Sequence, residues 1–118
     1  MVFGSNVIIG EFDAPFVLTA QPIGDELVPN QYYLNPNYPN PFNPETIIEY
    51  GIVQDGLVEL FVFNVLGQKV ATLVNERQEA HHYKVTFNAA DHLLASGVYF
   101  YQLKSGNYIQ SRKLLYLK

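Results

Sequence analysis

The residues best suited to chemistry are His81, His82 and His92, with Glu76, Glu79 and Asp91 near them in the chain. Paired histidines with a carboxylate suit a zinc ion, and an Asp-His pair beside a serine suits acyl transfer. The spacing supports neither. His81 and His82 are neighbours on an expected strand, where successive side chains leave opposite faces, so they do not grip one ion together. Asp91 and His92 are adjacent in an expected loop, and none of the serines, Ser5, Ser96, Ser105 and Ser111, lies in a Gly-x-Ser-x-Gly elbow. A calcium loop needs carboxylates at alternating positions, which Asp91 to Gly97 lacks. Cysteine is absent, which removes thiolate metal sites and disulfides. The chain therefore reads as non-enzymatic, with no cofactor and no metal site expected.

Partners are bounded by charge. The first 68 residues hold eight acids, Glu11, Asp13, Asp25, Glu26, Glu45, Glu49, Asp55 and Glu59, and no Lys or Arg. All seven basic residues lie in 69–118 with only Glu76, Glu79 and Asp91 as acids, so the net charge of −4 divides into −8 and +4. Two consequences are open: acidic early strands pair with basic late strands inside one sheet, or opposite ends of neighbouring copies attract head to tail. Nucleic acid is disfavoured, because the sum is acidic and no Arg-rich stripe runs through the aromatic positions. No apolar run is long enough for a transmembrane segment, and no signal peptide is visible.

Period-2 alternation dominates from residue 46 onward and no long segment keeps helical spacing. "TIIEYGIV" (46–53) puts Ile48, Tyr50 and Ile52 on one face, and "LVELFVF" (57–63) puts Val58, Leu60 and Val62 on one face. The intervening Asp55-Gly56 reads as a hairpin turn. "NVLG" (64–67) reads as a tight turn begun by Asn64, with Gly67 at a positive φ. "QKVATLV" (68–74) follows, with a bulge suggested by Val70 and Leu73 standing three apart. After an expected polar loop over 75–80 come the strand "HHYKVTF" (81–87), a crossover (88–96) with room for one helical turn, and a final hairpin of "GVYFYQLK" (97–104) and "YIQSRKLLYL" (108–117). This pattern predicts an all-β, immunoglobulin-like antiparallel β-sandwich of about seven strands with an extended N-terminal arm. Leu94, Gly97, Tyr99 and Tyr101 have the spacing of a tyrosine corner, in which the Tyr99 hydroxyl turns back onto the crossover backbone. Phe61 and Phe63 fall on the side opposite Val58 and Leu60, where they form an apolar patch if left uncovered.

The division expected is an arm or linker over 1–37 and the sandwich over 38–118. Between them lies Tyr38, Pro39, Asn40, Pro41, Phe42, Asn43 and Pro44, a stretch that prolines hold near polyproline II geometry. Missing amide donors keep it out of a central strand. It should run along an edge or across an end of the sandwich, with Phe42 and Tyr38 anchored in the core and Asn40 and Asn43 tying the turn.

Over roughly residues 32–118 the chain resembles the C-terminal sorting domain of proteins exported by the type IX secretion system (type A), a relative of the Ig-like domain of flagellar hook-capping proteins. The resemblance rests on the Pro-Asn-Pro-Phe-Asn-Pro entry (39–44), the Gly-Val-Tyr-Phe-Tyr strand (97–101) and the terminal Lys-Leu-Leu-Tyr-Leu-Lys (113–118), in the family's order. One departure is His81, where the family tends to place a glycine. The resemblance implies an exported, extracellular or cell-surface module that follows a cargo domain and is read by secretion machinery. Lys113, Leu115, Leu117 and Lys118 are the expected contacts. A second reading concerns the arm, whose Val7, Ile8, Ile9, Phe12, Phe16, Val17 and Leu18 are too apolar for a solvated tail. They complete a sheet of this chain or add as a strand to a neighbouring copy, and the latter, repeated head to tail, builds a filament. A carbohydrate-binding module is the third reading: tyrosine and phenylalanine are plentiful, but tryptophan, the strongest stacking platform, is absent.

Overall fold

A computed structural model describes residues 20–22 and 28–118. Among the described residues eight strands run in chain order: β1 (Ala20–Pro22), β2 (Tyr33–Leu34), β3 (Glu45–Ile52), β4 (Gly56–Phe63), β5 (Lys69–Gln78), β6 (His81–Asn88), β7 (Gly97–Ser105) and β8 (Tyr108–Tyr116). Strands β2 to β8 make two antiparallel sheets of three and four strands, the sandwich that the alternation predicts. The short β1 extends the smaller sheet to the order β1-β6-β3-β2, facing β5-β4-β7-β8. The segments named in the arm from Val7 to Leu18 lie outside the described residues.

Each strand buries one face because its apolar residues recur at every second position. Ile48, Tyr50 and Ile52 from β3 meet Val58, Leu60 and Val62 from β4, and all six are completely buried. Val85 and Phe87 of β6, Tyr101 and Leu103 of β7, and Leu114 of β8 complete the layer between the sheets. Leu34 of β2 also belongs to this core, and β2 pairs with Tyr50 and Gly51 of β3. The Tyr33 ring lies so close over Gly51 that a Cβ there would stand 2.2 Å from it, so β2 docks only on a bare backbone.

The bulge expected in β5 is present twice: Val70 and Leu73 are the residues skipped where β5 pairs with β4. The Asn64 turn also forms as read, with its side-chain oxygen accepting from the amides of Leu66 and Gln68 and with Gly67 at φ 82°. Two connections differ from the sequence reading. Asp55-Gly56 is not a hairpin, since β3 and β4 lie in different sheets and the turn carries the chain across the core. Turn chemistry marks where a chain reverses but does not name the partner strand, and Asp55 instead accepts from the Ala80 amide, tying this crossing to the one between β5 and β6. The polar stretch 75–80 is mostly strand: β5 continues to Gln78, leaving Glu79–Ala80 as the turn. β5 is an edge strand, so Asn75, Glu76 and Arg77 face solvent without ending the ladder, while Gln78 turns inward to accept from the Tyr50 hydroxyl. His81 opens β6 opposite Ile52 in ordinary extended backbone, where glycine is not required.

The crossover holds a single 3₁₀ turn, Ala89–His92, capped by the Asn88 side chain on the amides of Ala90 and Asp91. The tyrosine corner forms as well, with the Tyr99 hydroxyl donating to the Ala95 carbonyl at 2.6 Å. Opposite charges meet across strands: Glu49 faces Lys84 between β3 and β6, and Glu59 faces Lys104 between β4 and β7, the latter at 3.9 Å.

Candidate recognition site

The entry segment and the last strand meet at one end of the sandwich. Residues 38–44 bend at 39–41 and 43–44 instead of running straight, and the bonds Tyr38–Pro39, Asn40–Pro41 and Asn43–Pro44 are cis. The extended spacer expected from the prolines is therefore corrected to a folded strap. It pairs with both sheets: Tyr38 exchanges two backbone hydrogen bonds with Ile47 of β3, while Phe42 bridges in parallel to Tyr116 of β8. The Phe42 amide donates to the Leu115 carbonyl, and the Leu117 amide donates back to the Phe42 carbonyl. Pro41 and Pro44 have no amide hydrogen to give, and the Phe42 amide between them is the one that serves that edge.

Phe42 is the anchor that the sequence suggested. It is 2% exposed, and its ring stacks on Tyr116 at 5.2 Å and tilts toward Phe87 at 6.0 Å. Tyr38 is not an anchor; its ring is 46% exposed and its hydroxyl donates to Glu49 at 2.5 Å, which pushes its pKa up. A phenol with a carboxylate in reach keeps its rim position better than a buried one without a partner. Asn40 does bind backbone, but that of β8: its side-chain oxygen accepts from the Leu115 amide. Asn43 is exposed. Asn37 is buried, and its amide nitrogen holds Thr46 at 2.9 Å and the Pro39 carbonyl at 3.3 Å, setting the bend where the strap begins.

Tyrosine hydroxyls fix the rest of the frame. Tyr101 is fully buried and donates to the Asn35 carbonyl, which joins β7 to the stretch after β2. Burial pushes its pKa up to about 12, opposed by backbone hydrogen bonding at Asn37 and the Arg112 charge. Tyr83 is also raised to about 12, by burial first and then by the charges of Glu79 and Glu76. Tyr50 is raised further by burial, against a lowering hydrogen bond to Gln78. The Arg112 Nε donates to the Leu34 carbonyl, so β8 is also tied to β2.

Beyond this frame β8 presents its other side outward. Leu114 and Tyr116 point into the core, whereas Lys113 and Leu115 alternate onto the outer face and Leu117 follows them, 47% exposed. Lys118 is exposed, and its amide donates to Ser96. The four residues expected to make recognition contacts thus divide into three along one outward line and a terminal lysine beside the crossover. The register continues that line inward, since Lys113 faces Phe100, Phe100 faces Phe63, and Leu115 faces Val98. Phe63 stands edge-on to Phe61 at 6.4 Å, and Lys69 lies 3.9 Å over the Phe61 ring. The outer face of this sheet therefore carries an apolar patch of aromatic and aliphatic side chains, rimmed by Lys69 and Lys113.

Phe61 and Phe63 were legible as outward-facing. Val98 and Phe100 were not singled out, although the same alternation places them opposite in phase to Tyr99 and Tyr101. Among the described residues no group of three His, Asp or Glu side chains could hold a metal ion, and no helix is long and apolar enough to cross a membrane. His82 Nδ1 lies 2.7 Å from the Tyr33 hydroxyl, and His81 Nδ1 accepts from the His82 amide, so both rings serve local packing.

A family model described as the secretion system C-terminal sorting domain matches residues 37–117. No curated protein and no solved structure matches the chain.

Proposed function

The chain belongs to the type IX secretion C-terminal sorting domain family, and from that premise we propose that it is a non-enzymatic address, read by the export machinery through the outward side of β8 and the apolar patch beside it. Membership makes it the sorting signal of an exported protein. The finer reading concerns which atoms are read. One observation carries it: the two sides of the last strand have separate tasks, with Leu114 and Tyr116 spent on the core and Lys113, Leu115 and Leu117 left outward beside Val98 and Phe100. The partner suited to such a face is apolar with acidic groups at its margin, matched to Lys69 and Lys113. Delivery would leave the protein extracellular or held at the cell surface.

Deleting residues 114–118 is a poor test, since it also removes core side chains. Substituting Lys113→Ser, Leu115→Ser and Leu117→Ser together in a reporter fusion is a better one. The folded variant is expected to retain the reporter inside the cell, and normal delivery of it would refute the assignment.

Self-association by strand addition is the second reading, and it has one supporting observation. The outer edge of β6 accepts an added antiparallel strand, taken in this chain by Ala20–Pro22 opposite Val85, Lys84 and Tyr83. Exchange of that strip between copies would link them head to tail. Sedimentation at high protein concentration distinguishes the readings: a chain that stays monomeric excludes the filament.

A further inference from the structure

At the other end of β8, roughly 26 Å from the Phe42 strap at about 3.3 Å per residue, the turns after β3 and β7 converge on a concave surface. It consists of two depressions of about 330 Å³ and 430 Å³, which share Tyr32, Gln54 and Gly106 as a common wall. Both fall in the range of small-ligand sites, roughly 300–1,000 Å³.

We propose that this end of the sandwich binds a neutral sugar ring of an oligosaccharide. The inference is separate from the sorting reading and uses none of its residues.

The wall is aromatic and held in place. The rings of Tyr32 and Tyr108 are parallel within 11° at a centroid distance of 5.0 Å, and both are half-buried against the core. Each ring covers one face of the other, and the ring surface left lining the depressions is a fixed aromatic plane that suits the C–H face of a pyranose, because little side-chain freedom is lost when the ligand docks. Tyrosine thus supplies the platform that the missing tryptophan would otherwise provide.

The polar groups around it suit hydroxyls. The amides of Gln54 and Asn107 line the larger depression, are exposed, and have no hydrogen bond to other described residues, leaving donors and acceptors on both. Asp55 lines the smaller depression, where one carboxylate oxygen is engaged by the Ala80 amide and the other stays available as an acceptor. Mixed donors and acceptors of this kind match the hydroxyls of a sugar, each of which both gives and takes a hydrogen bond.

Charge decides against other classes. Asp55 and Glu59 both line the smaller depression, and its one cation, Lys104, is half-exposed and lies 3.9 Å from Glu59. A phosphate or uronate would meet two carboxylates against one lysine, a net negative lining that disfavours anionic ligands.

The test is amide NMR of the intact chain titrated separately with maltotriose, cellotriose and mannotriose up to about 20 mM, and with inorganic phosphate as the anionic control. At least one trisaccharide should shift the amides of Gln54, Gly106 and Asn107, with a Kd below about 5 mM. Tyr32→Ala and Asn107→Ala should each weaken that Kd about tenfold or more, while Leu66→Ala, exposed in the turn between β4 and β5 at the far end of the sandwich, leaves it unchanged. Asn107 is exposed in a turn, so its variant keeps the test valid if Tyr32→Ala unfolds. No shift with any trisaccharide, shifts elsewhere on the domain, phosphate binding at the same amides, or binding unaffected by Asn107→Ala would each overturn the proposal.

Discussion

Replacing Phe42 by alanine should loosen the C-terminal strand specifically, because Phe42 is where the strap grips it. The ring is 2% exposed and packs on Tyr116 and Phe87, so its loss removes a large buried side chain and leaves a cavity between the sheets. Phe→Ala changes at such sites cost about 3–5 kcal/mol, and the stacked contact with Tyr116 places this one toward the upper half, about 4 kcal/mol. A domain of this size has about 5–15 kcal/mol in total. The variant should therefore fold in cold buffer yet unfold at much lower urea. Far-UV circular dichroism against urea gives the global cost, and amide exchange locates it. The Leu117 and Phe42 amides, whose hydrogen bonds join strap and strand, should lose protection most, while those in the centre of β3 and β4 track the global change. A cost below about 1 kcal/mol, or uniform loss of protection across all strands, would refute the view of Phe42 as the clasp on β8.

Alkali should unfold the domain through its buried phenols. Burial pushes the Tyr83 and Tyr101 phenols up to about 12 and Tyr50 further still, against about 10 in the unfolded chain. Their contribution is complete below pH about 10 and is lost as pH rises toward 12, on the order of 1 kcal/mol per tyrosine at pH about 11 after allowance for solvent near the rim. A urea midpoint that is flat between pH 8 and 9 and falls steeply above about 10 is expected, and a midpoint level to pH about 12 would contradict it. Gly51→Ala should cost about 1–3 kcal/mol, since the new methyl meets the Tyr33 ring; thermal melting at the wild-type midpoint would remove that contact from the account. Tyr99→Phe should lose about 1 kcal/mol with the corner hydrogen bond to Ala95, measured by urea denaturation. Leu93 holds a left-handed φ of 56° and is 93% exposed, so Leu93→Gly should stabilise by up to about 1 kcal/mol, and a lower melting temperature would count against strain there.

Much of this architecture follows from alternation alone. Ile48, Tyr50 and Ile52 announce a half-buried strand wherever they pair, and the corner at Tyr99 follows from a local offset of four residues. What alternation does not contain is partnership. Asp55-Gly56 marks a reversal with equal clarity whether the next strand joins the same sheet or the opposite one, and only the closing of a shared core decides. The polar run 75–78 likewise looks like loop, because an edge strand needs no apolar residue on its open side. The strap illustrates a different limit: proline composition fixed local stiffness, but the path depended on Phe42 meeting Tyr116 across 74 positions of sequence. For the proposed recognition face, single outward residues were readable on β4 and β8; their fusion into one patch depended on β7 lying between them, with Phe100 in register with both Phe63 and Lys113.

The division of labour on the last strand is tested most directly by export of a reporter fused to the domain carrying Lys113→Ser, Leu115→Ser and Leu117→Ser, with folding of the same variant verified by its NMR spectrum. The account predicts a folded domain whose reporter stays inside the cell. A folded variant delivered at the wild-type level would contradict it.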